Sequence, residues 1–369
     1  MKKVMIIAND TTYTYNLRNE IIEKLIENNY EVVVVATILN KREELEELGC
    51  KLINIETNRH AKNPFNDLVL MNQYKKIIKK EAPSLVLTYN IKPNVYGGMA
   101  CQLTKTPYMP NITGLGTAVE YPGMMQVLAS NLYKIGVRKA QVIFFQNSEN
   151  LDFFRSRKMI AKNTETVLLP GSGVSLKMHK PLEYPKDDNT INLFFIARIL
   201  KEKGIDLYLD SARRISKEFN NVKFHICGYC DDDRYISLID RAEKDGDIIY
   251  HGEQTNMIPF FEMAHCIVHP SYYPEGMSNV LLEAAAHCRP IIATDRSGCR
   301  ETVEDGITGY LIPIKDEEAL YAAIRRFLLL PYDEKKQMGL NGRHKIETEF
   351  DRQLVADAYI SAINRVFII

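Results

Sequence analysis

Short apolar runs alternate with stretches of helical period from Val4 to about residue 170, and the alternation resumes at Ile191. Apolar runs separated by amphipathic segments are the pattern of parallel strands covered on both faces by helices. In the first stretch, Val4–Ala8, Glu31–Thr37, Leu85–Tyr89, Tyr108–Ile112 and Gln141–Phe145 predict strands, while Asn16–Asn28, Arg42–Leu48, Leu68–Glu81 and Val95–Leu103 predict helices. In the second, Ile191–Ala197, Lys223–Cys227, Ile248–Tyr250, Cys266–His269 and Pro290–Thr294 predict strands. Between them PGSGVSLKMHKPLEYPKDDNT has neither period and is rich in Pro, Gly, Lys and Asp, which predicts a linker. The expected organisation is α/β, with two doubly wound parallel-sheet domains facing a central cleft: residues 1–172, a linker over 173–190, and residues 191–352. A last helical segment, about 353–369, is expected to pack back on the first domain. Open sheets of this kind bind ligands beyond the carboxyl ends of their strands, so chemistry is sought there.

Composition supports this picture and removes some alternatives. A chain of 369 residues exceeds what one hydrophobic core usually organises, and a mean hydropathy of -0.22 is that of an ordinary soluble protein. Lys plus Arg equals Asp plus Glu at 47 each, so no global positive field advertises a nucleic-acid partner. The seven cysteines are scattered, and the Cys227-x-x-Cys230 pair has no second pair or histidine at ligand spacing, so buried thiols in a reducing cytosol are expected. The opening MKKVMIIAND reads as a buried strand rather than a signal peptide, because its apolar stretch is short and no cleavage site follows. No run approaches the roughly 20 apolar residues needed to span a bilayer, so any membrane contact is expected to be peripheral. No G-x-G-x-x-G follows the first strand, which argues against a dinucleotide-dependent dehydrogenase.

Candidate chemistry gathers in the second stretch. Strand Ile191–Ala197 runs directly into Arg198, and Lys203 follows in ARILKEKGIDL. An Arg fork and a Lys point charge at one strand end could grip a diphosphate and stabilise it as a leaving group without Mg²⁺; the alternative is a solvated basic loop. After Cys266–His269 the chain reads HPSYYPEGMSNVLLEAAAHCRP, a Pro and Gly loop followed by Ser278 or Asn279 as N-cap of a helix. Unpaired amides at such a helix start are a seat for phosphate. Glu275 on the loop and Glu283 inside the helix would reach different parts of one extended ligand; alone, they would read as a turn residue and a surface charge.

The segment HPSYYPEGMSNVLLEAAAHCRPIIATDRSGCRETVEDGITGYLIP closely resembles the donor-binding segment of retaining family-four glycosyltransferases, including their pair of glutamates separated by seven residues. The resemblance extends to ARILKEKGID, HICGYCDDD and LLPGSGV. It implies the GT-B fold of two Rossmann-like domains. It also implies that Arg198 and Lys203 bind the donor diphosphate, Glu275 the sugar hydroxyls and Glu283 the ribose, with the backbone of Met277, Ser278, Asn279 and Val280 near sugar and phosphate and Gly228 near the nucleotide. Arg198, Lys203 and Glu275 are the catalytic candidates. The implied reaction is front-face displacement with retention, a diphosphate oxygen assisting deprotonation of the attacking hydroxyl. No cofactor and no metal are expected; the acidic triplet Asp231 to Asp233 follows Gly228 where relatives carry variable polar residues.

A narrower resemblance, carried by YNLRNEII, TYNIKPNVYGG and PNITGLGT, is to a bacterial subgroup acting on polyprenyl-diphosphate-linked sugars. It implies that Arg18 and Lys92 meet the acceptor's diphosphate; ordinary surface cations are the alternative. Thr113 and Gly114 stand where many relatives have an active-site histidine, and Asn9-Asp10-Thr11-Thr12 replaces a Gly-rich loop. A lipid-linked acceptor calls for peripheral contact with the inner face of the cytoplasmic membrane, for which residues 121–139 are the better candidate and residues 65–80 the weaker. The expected activity is transfer of a hexose or N-acetylhexosamine, the latter slightly favoured, from a UDP-sugar to a polyprenyl-diphosphate-linked saccharide in surface-polysaccharide or glycoprotein glycan assembly. A UDP-sugar epimerase or a non-catalytic nucleotide-sugar-binding protein would share the donor features.

Overall fold

A computed structural model describes residues 1–55, 64–116, 119, 122–230 and 232–368. They form two units: Met1–Gly173 with Pro274–Met277 and Arg352–Ile369, and Val174–Tyr273 with Ser278–Asp351.

The first unit runs β1 (Lys2–Asp10), α1 (Thr11–Glu27), β2 (Tyr30–Thr37), α2 (Arg42–Glu47), β3 (Lys51–Asn54), α3 (Pro64–Glu81), β4 (Leu85–Tyr89), α4 (Gly98–Thr104), β5 (Tyr108–Ile112), α5 (Met124–Val137), β6 (Val142–Phe145), α6 (Ser148–Ser156) and β7 (Glu165–Leu168). Its seven strands are parallel in the order β3-β2-β1-β4-β5-β6-β7. Alternate residues of β1 enter opposite cores: Met5 and Ile7 join Tyr74, Tyr108 and Tyr133, while Val4 and Ile6 join Ile21, Ile22 and Leu25 of α1. The last helix of the chain, α13 (Arg352–Ile368), completes the second of these cores with Val355, Tyr359 and Ile363. Its Tyr359 ring stacks on Phe144 at 4.1 Å and its hydroxyl accepts from Asn111 Nδ2 at 2.6 Å.

The second unit runs β8 (Ile191–Ile196), α7 (Ile205–Glu218), β9 (Val222–Cys227), α8 (Asp233–Lys244), β10 (Ile249–Tyr250), α9 (Ile258–Met263), β11 (Cys266–His269), α10 (Asn279–Ala286), β12 (Ile291–Thr294), β13 (Gly309–Ile312), α11 (Glu317–Leu328) and α12 (Tyr332–Glu349). The parallel order is β10-β9-β8-β11-β12-β13. In each sheet the order reverses once, between β1 and β4 and between β8 and β11, and a reversal leaves a crevice beyond the strand ends.

Three strands escape the apolar-run criterion, and all three are sheet edges. β3 and β7 are short and half-exposed, and β13 opens on a glycine. Helix α1 begins at Thr11, not Asn16, because the Asp10 carboxylate caps it by accepting from Tyr13 N–H at 2.8 Å. The helix expected from Val95 opens as a π-helical turn over Pro93–Gly97 and is α-helical from Gly98. The aperiodic segment from Val174 is held along the second unit: its Val174 amide donates to Phe350 O at 2.9 Å, and Arg289 Nη2 donates to Glu183 O at 2.6 Å. Six of the seven cysteines are buried and Cys230 is partly exposed, and burial pushes the Cys227 thiol up to about 12.

Candidate active site

In the second unit, the ends of the neighbouring strands β8 and β11 build one cationic corner. Beyond β8 the chain passes Arg198 and makes a 3₁₀ turn, Lys201–Lys203, closed by Gly204 in the left-handed region. That turn is tied to the loop after β11: Tyr272 N–H donates to Glu202 O at 2.8 Å, and the Ser271 hydroxyl donates to the same oxygen at 3.4 Å. Tyr273 is thereby held beside both cations, its ring centroid 5.3 Å from Lys203 Nζ and 6.0 Å from Arg198 Cζ. Lys203 is buried, so the solvated-loop alternative does not hold for it. Burial first, with the Arg198 charge adding to it and Cys299 opposing, brings its ammonium down to about 8.

The start of α10 stands at the same strand end. Ser278 is its N-cap; its amide donates to Gly298 O at 2.8 Å, and its hydroxyl lies 3.4 Å from His269 Nε2. The first intrahelical bonds begin at Leu281, which leaves the Asn279 and Val280 amides as the outward-facing donors of the helix start. Asn279 Oδ1 and His269 Nδ1 are buried without a hydrogen-bond partner among the described residues. Burial, then the nearby Lys203 charge, holds His269 well below the usual histidine range, so it is a neutral imidazole. Glu283 lies about one turn into α10, half-buried. Gly228, beyond β9, crosses the loop after β8 so closely that a Cβ would collide with the Ala197 carbonyl oxygen. The glycine lets the ends of β8 and β9 approach one another beside Arg198.

Pro274–Met277 belongs to the first unit by its contacts. Thr113 and Gly114 beyond β5, and Gln146 and Asn147 beyond β6, surround it. Gly114, at φ +142°, would bring a Cβ to 3.2 Å from Gly276 N. Asn147 Nδ2 donates to Gly276 O at 2.6 Å and to Glu275 O at 3.1 Å. Met277 is buried against Gly171. Arg18 is buried rather than a surface cation; its Nη1 donates to Leu17 O at 2.6 Å and its guanidinium sits 4.5 Å over the Tyr89 ring. Lys92 pairs with Asp67 at 3.1 Å, and Asp67 also accepts from the Tyr96 hydroxyl at 2.8 Å.

Residues 3–147 match the family described as Glycosyl transferase 4-like, and residues 178–345 match Glycosyl transferases group 1. The chain belongs to the GT-B glycosyltransferases of group 1. It is 25% identical over 371 residues to the N,N'-diacetylbacillosaminyl-diphospho-undecaprenol alpha-1,3-N-acetylgalactosaminyltransferase of Campylobacter jejuni, covering 95% of this chain and 96% of that protein. It is 23% identical to the capsular polysaccharide biosynthesis glycosyltransferase CapM of Staphylococcus aureus, covering 93% and 92%. Among solved structures, Anabaena HepE in complex with UDP and glucose superposes with a TM-score of 0.79 at 14% identity over 99% of this chain and 100% of that one. A glycosyltransferase from Rickettsia africae gives 0.78 at 17% identity over 99% of both.

The glycosyltransferase carries site features that motif reading passed over. Tyr273 directly precedes the Pro-Glu-Gly motif, and His269 ends an apolar strand, so both had a local signal. Asn147 also ends an apolar strand, but its partners are 128 and 129 positions away. Among the described residues no group of three or more His, Cys, Asp or Glu is placed to hold a metal; Asp231 of the acidic triplet lies outside them.

The Lys203 shift has a measurable consequence. From pH 8 up to the ordinary lysine range near 10.4, the unfolded chain holds a proton that the folded transferase has lost, so this residue's contribution to stability rises with pH there. A diphosphate bound beside Lys203 would reverse the preference by favouring the ammonium. Binding of a nucleoside diphosphate is therefore expected to take up a proton at pH 8 to 9 and to weaken as pH rises further. Calorimetry in buffers of different ionisation enthalpy measures the uptake directly; buffer-independent heats would remove Lys203 from the diphosphate site.

Proposed function

We propose that the enzyme transfers a hexose or N-acetylhexosamine, the latter favoured, from a UDP-sugar to a polyprenyl-diphosphate-linked saccharide, with retention of anomeric configuration and without a metal ion. The observation that carries the donor half is the pairing of Arg198 with buried Lys203 about Tyr273, beside the start of α10. A buried lysine, an exposed arginine beside it and a helix start supply the charge stabilisation that a departing diphosphate requires. In this reading Glu275 receives the sugar hydroxyls, Glu283 the ribose, and Gly228 with Met277 to Val280 the nucleotide and phosphates. The full-length similarity to a transferase whose name includes an undecaprenol-diphosphate substrate supports the acceptor class, and the UDP held by HepE supports the nucleotide.

On the acceptor side, Arg18 is already stripped of water and stacked on Tyr89, which suits it to an anion. Lys92 would share itself between Asp67 and the acceptor's diphosphate. Thr113 and Gly114 leave no imidazole at that strand end, which fits proton removal by the diphosphate itself. Peripheral docking is supported by α5, where Met124 is 89% and Met125 60% exposed, Val127, Leu128 and Ile135 are also exposed, and Lys134, Arg138 and Lys139 follow. Tyr121 of that segment lies outside the described residues. On α3, by contrast, Leu70, Tyr74 and Ile78 are buried in the core, with Leu68 and Val69 left exposed. No helix of the described residues is long and apolar enough to cross a membrane.

The deciding experiment offers a panel of UDP-sugars with a synthetic polyprenyl-diphosphate saccharide in vesicles. One donor is expected to yield an α-linked product at a rate unchanged by EDTA. A new UDP-sugar formed without acceptor would mark an epimerase, and activity abolished by EDTA would overturn the metal-free mechanism.

A further inference from the structure

We infer that Asn147 is a positioning residue for transfer, one that fixes the Glu275-Gly276 peptide so that the Glu275 carboxylate is presented in a single orientation. Asn147 is buried at the end of β6 and uses its whole side chain. Its Oδ1 caps α6 by accepting from Asn150 N–H at 2.8 Å. Its Nδ2 donates to two consecutive carbonyls, Gly276 O at 2.6 Å and Glu275 O at 3.1 Å. The amide can point only one way, because flipping it would set Oδ1 against two carbonyl oxygens and leave the Asn150 amide unmet.

The peptide it grips has no slack on its other side. A Cβ on Gly276 would run into the Thr113 carbonyl and lie 2.6 Å from Gln146 Oε1, and Gln146 is itself held by donating to Ser172 Oγ at 3.0 Å. The carbonyls of residues 275 and 276 are thus anchored at β6 while the glycine is wedged against the end of β5. A carboxylate that must meet a sugar hydroxyl gains from such anchoring, since a misplacement of about 1 Å can cost on the order of a hundredfold in rate.

The functional half of this inference rests on the proposed role of Glu275; the clamp itself does not. Asn147→Asp separates the two tasks, because Asp caps a helix as well as Asn but has no N–H to donate and faces the two carbonyls with charge. The variant is expected to melt below the parent, because it buries a carboxylate against two carbonyl oxygens, yet to bind UDP alone with unchanged affinity at a temperature where it is folded. Its kcat with UDP-sugar is expected to fall at least tenfold, and a Glu-specific protease is expected to cut the Glu275–Gly276 bond several-fold faster. Asn147→Ser, which caps without the repulsion, should fall between the two. Unchanged proteolysis, wild-type kcat, or loss of UDP binding together with kcat would each overturn the positioning role. If the parent enzyme uses no UDP-sugar, the proteolysis comparison still decides the clamp while the proposed donor fails by itself.

Discussion

Replacing Lys203 by methionine is expected to lower glycosyl transfer by about 10²- to 10³-fold without lowering the stability of the ligand-free enzyme. The two halves of this result have one cause. Folding buries the ammonium where its charged form is disfavoured enough to bring the group down to about 8, a cost at neutral pH on the order of 3 kcal/mol. Methionine fills similar space with no charge to desolvate, so the exchange removes that cost. A diphosphate leaving group, however, loses a cation that required no reorganisation to meet it. Arg198→Ala is expected to cost a comparable factor in kcat/KM, since its guanidinium stands on the same Tyr273 ring. Parallel kcat/KM and melting measurements check the claim. Full activity in both variants would sink the donor assignment, and a Lys203→Met enzyme that melts well below the parent would show the buried charge to be structural.

How much of this could be read from the chain depended on distance in sequence. The corner around Arg198, Lys203 and Ser278 is assembled from loops that each directly follow an apolar strand, so every member announces itself by position. Burial of Lys203 was not legible, because a lysine flanked by Lys201 and Glu202 reads as solvated until the loop after β11 is seen to cover it. Arg18 was hidden in the same way: its helix looks like a surface helix until α13, more than 300 positions later, packs against α1. The edge strands β3 and β7 carry no continuous apolar run because their ends are left to solvent, whereas β13 is mostly buried but short and opens on Gly309. Asn147 shows the limit most clearly, since a polar residue after a strand promises a cap but says nothing of which distant peptide it grips.

Arg352→Ala is expected to destabilise the first unit by about 3–5 kcal/mol, seen as a fall in melting temperature of roughly 2–4 °C for each kcal/mol. Arg352 opens α13, where a cation opposes the helix dipole and would ordinarily be unfavourable. It is held there by a nearly closed set of acceptors. Nη1 reaches Glu20 Oε2 at 3.0 Å and Asn16 O at 2.8 Å, Nε reaches Ser172 O at 3.3 Å, and Nη2 reaches Gly173 O at 3.3 Å. The ion-paired side chains are 3% and 6% exposed, so alanine would leave the Glu20 carboxylate in the interior without its counter-charge and several carbonyls without a donor. Lysine is not a substitute, because one ammonium cannot serve acceptors arranged around a planar fork. Adding Glu20→Gln to Arg352→Ala should recover a substantial part of the loss, since it removes the stranded charge; a double-mutant cycle in urea would measure that coupling. Coupling below about 0.5 kcal/mol would mean that the pair does not act as a unit. A large coupling would make the pair the fastening of α13 to α1, the helix that also carries Arg18, so that an arginine near the start of the chain keeps its buried setting through a helix more than 300 positions later.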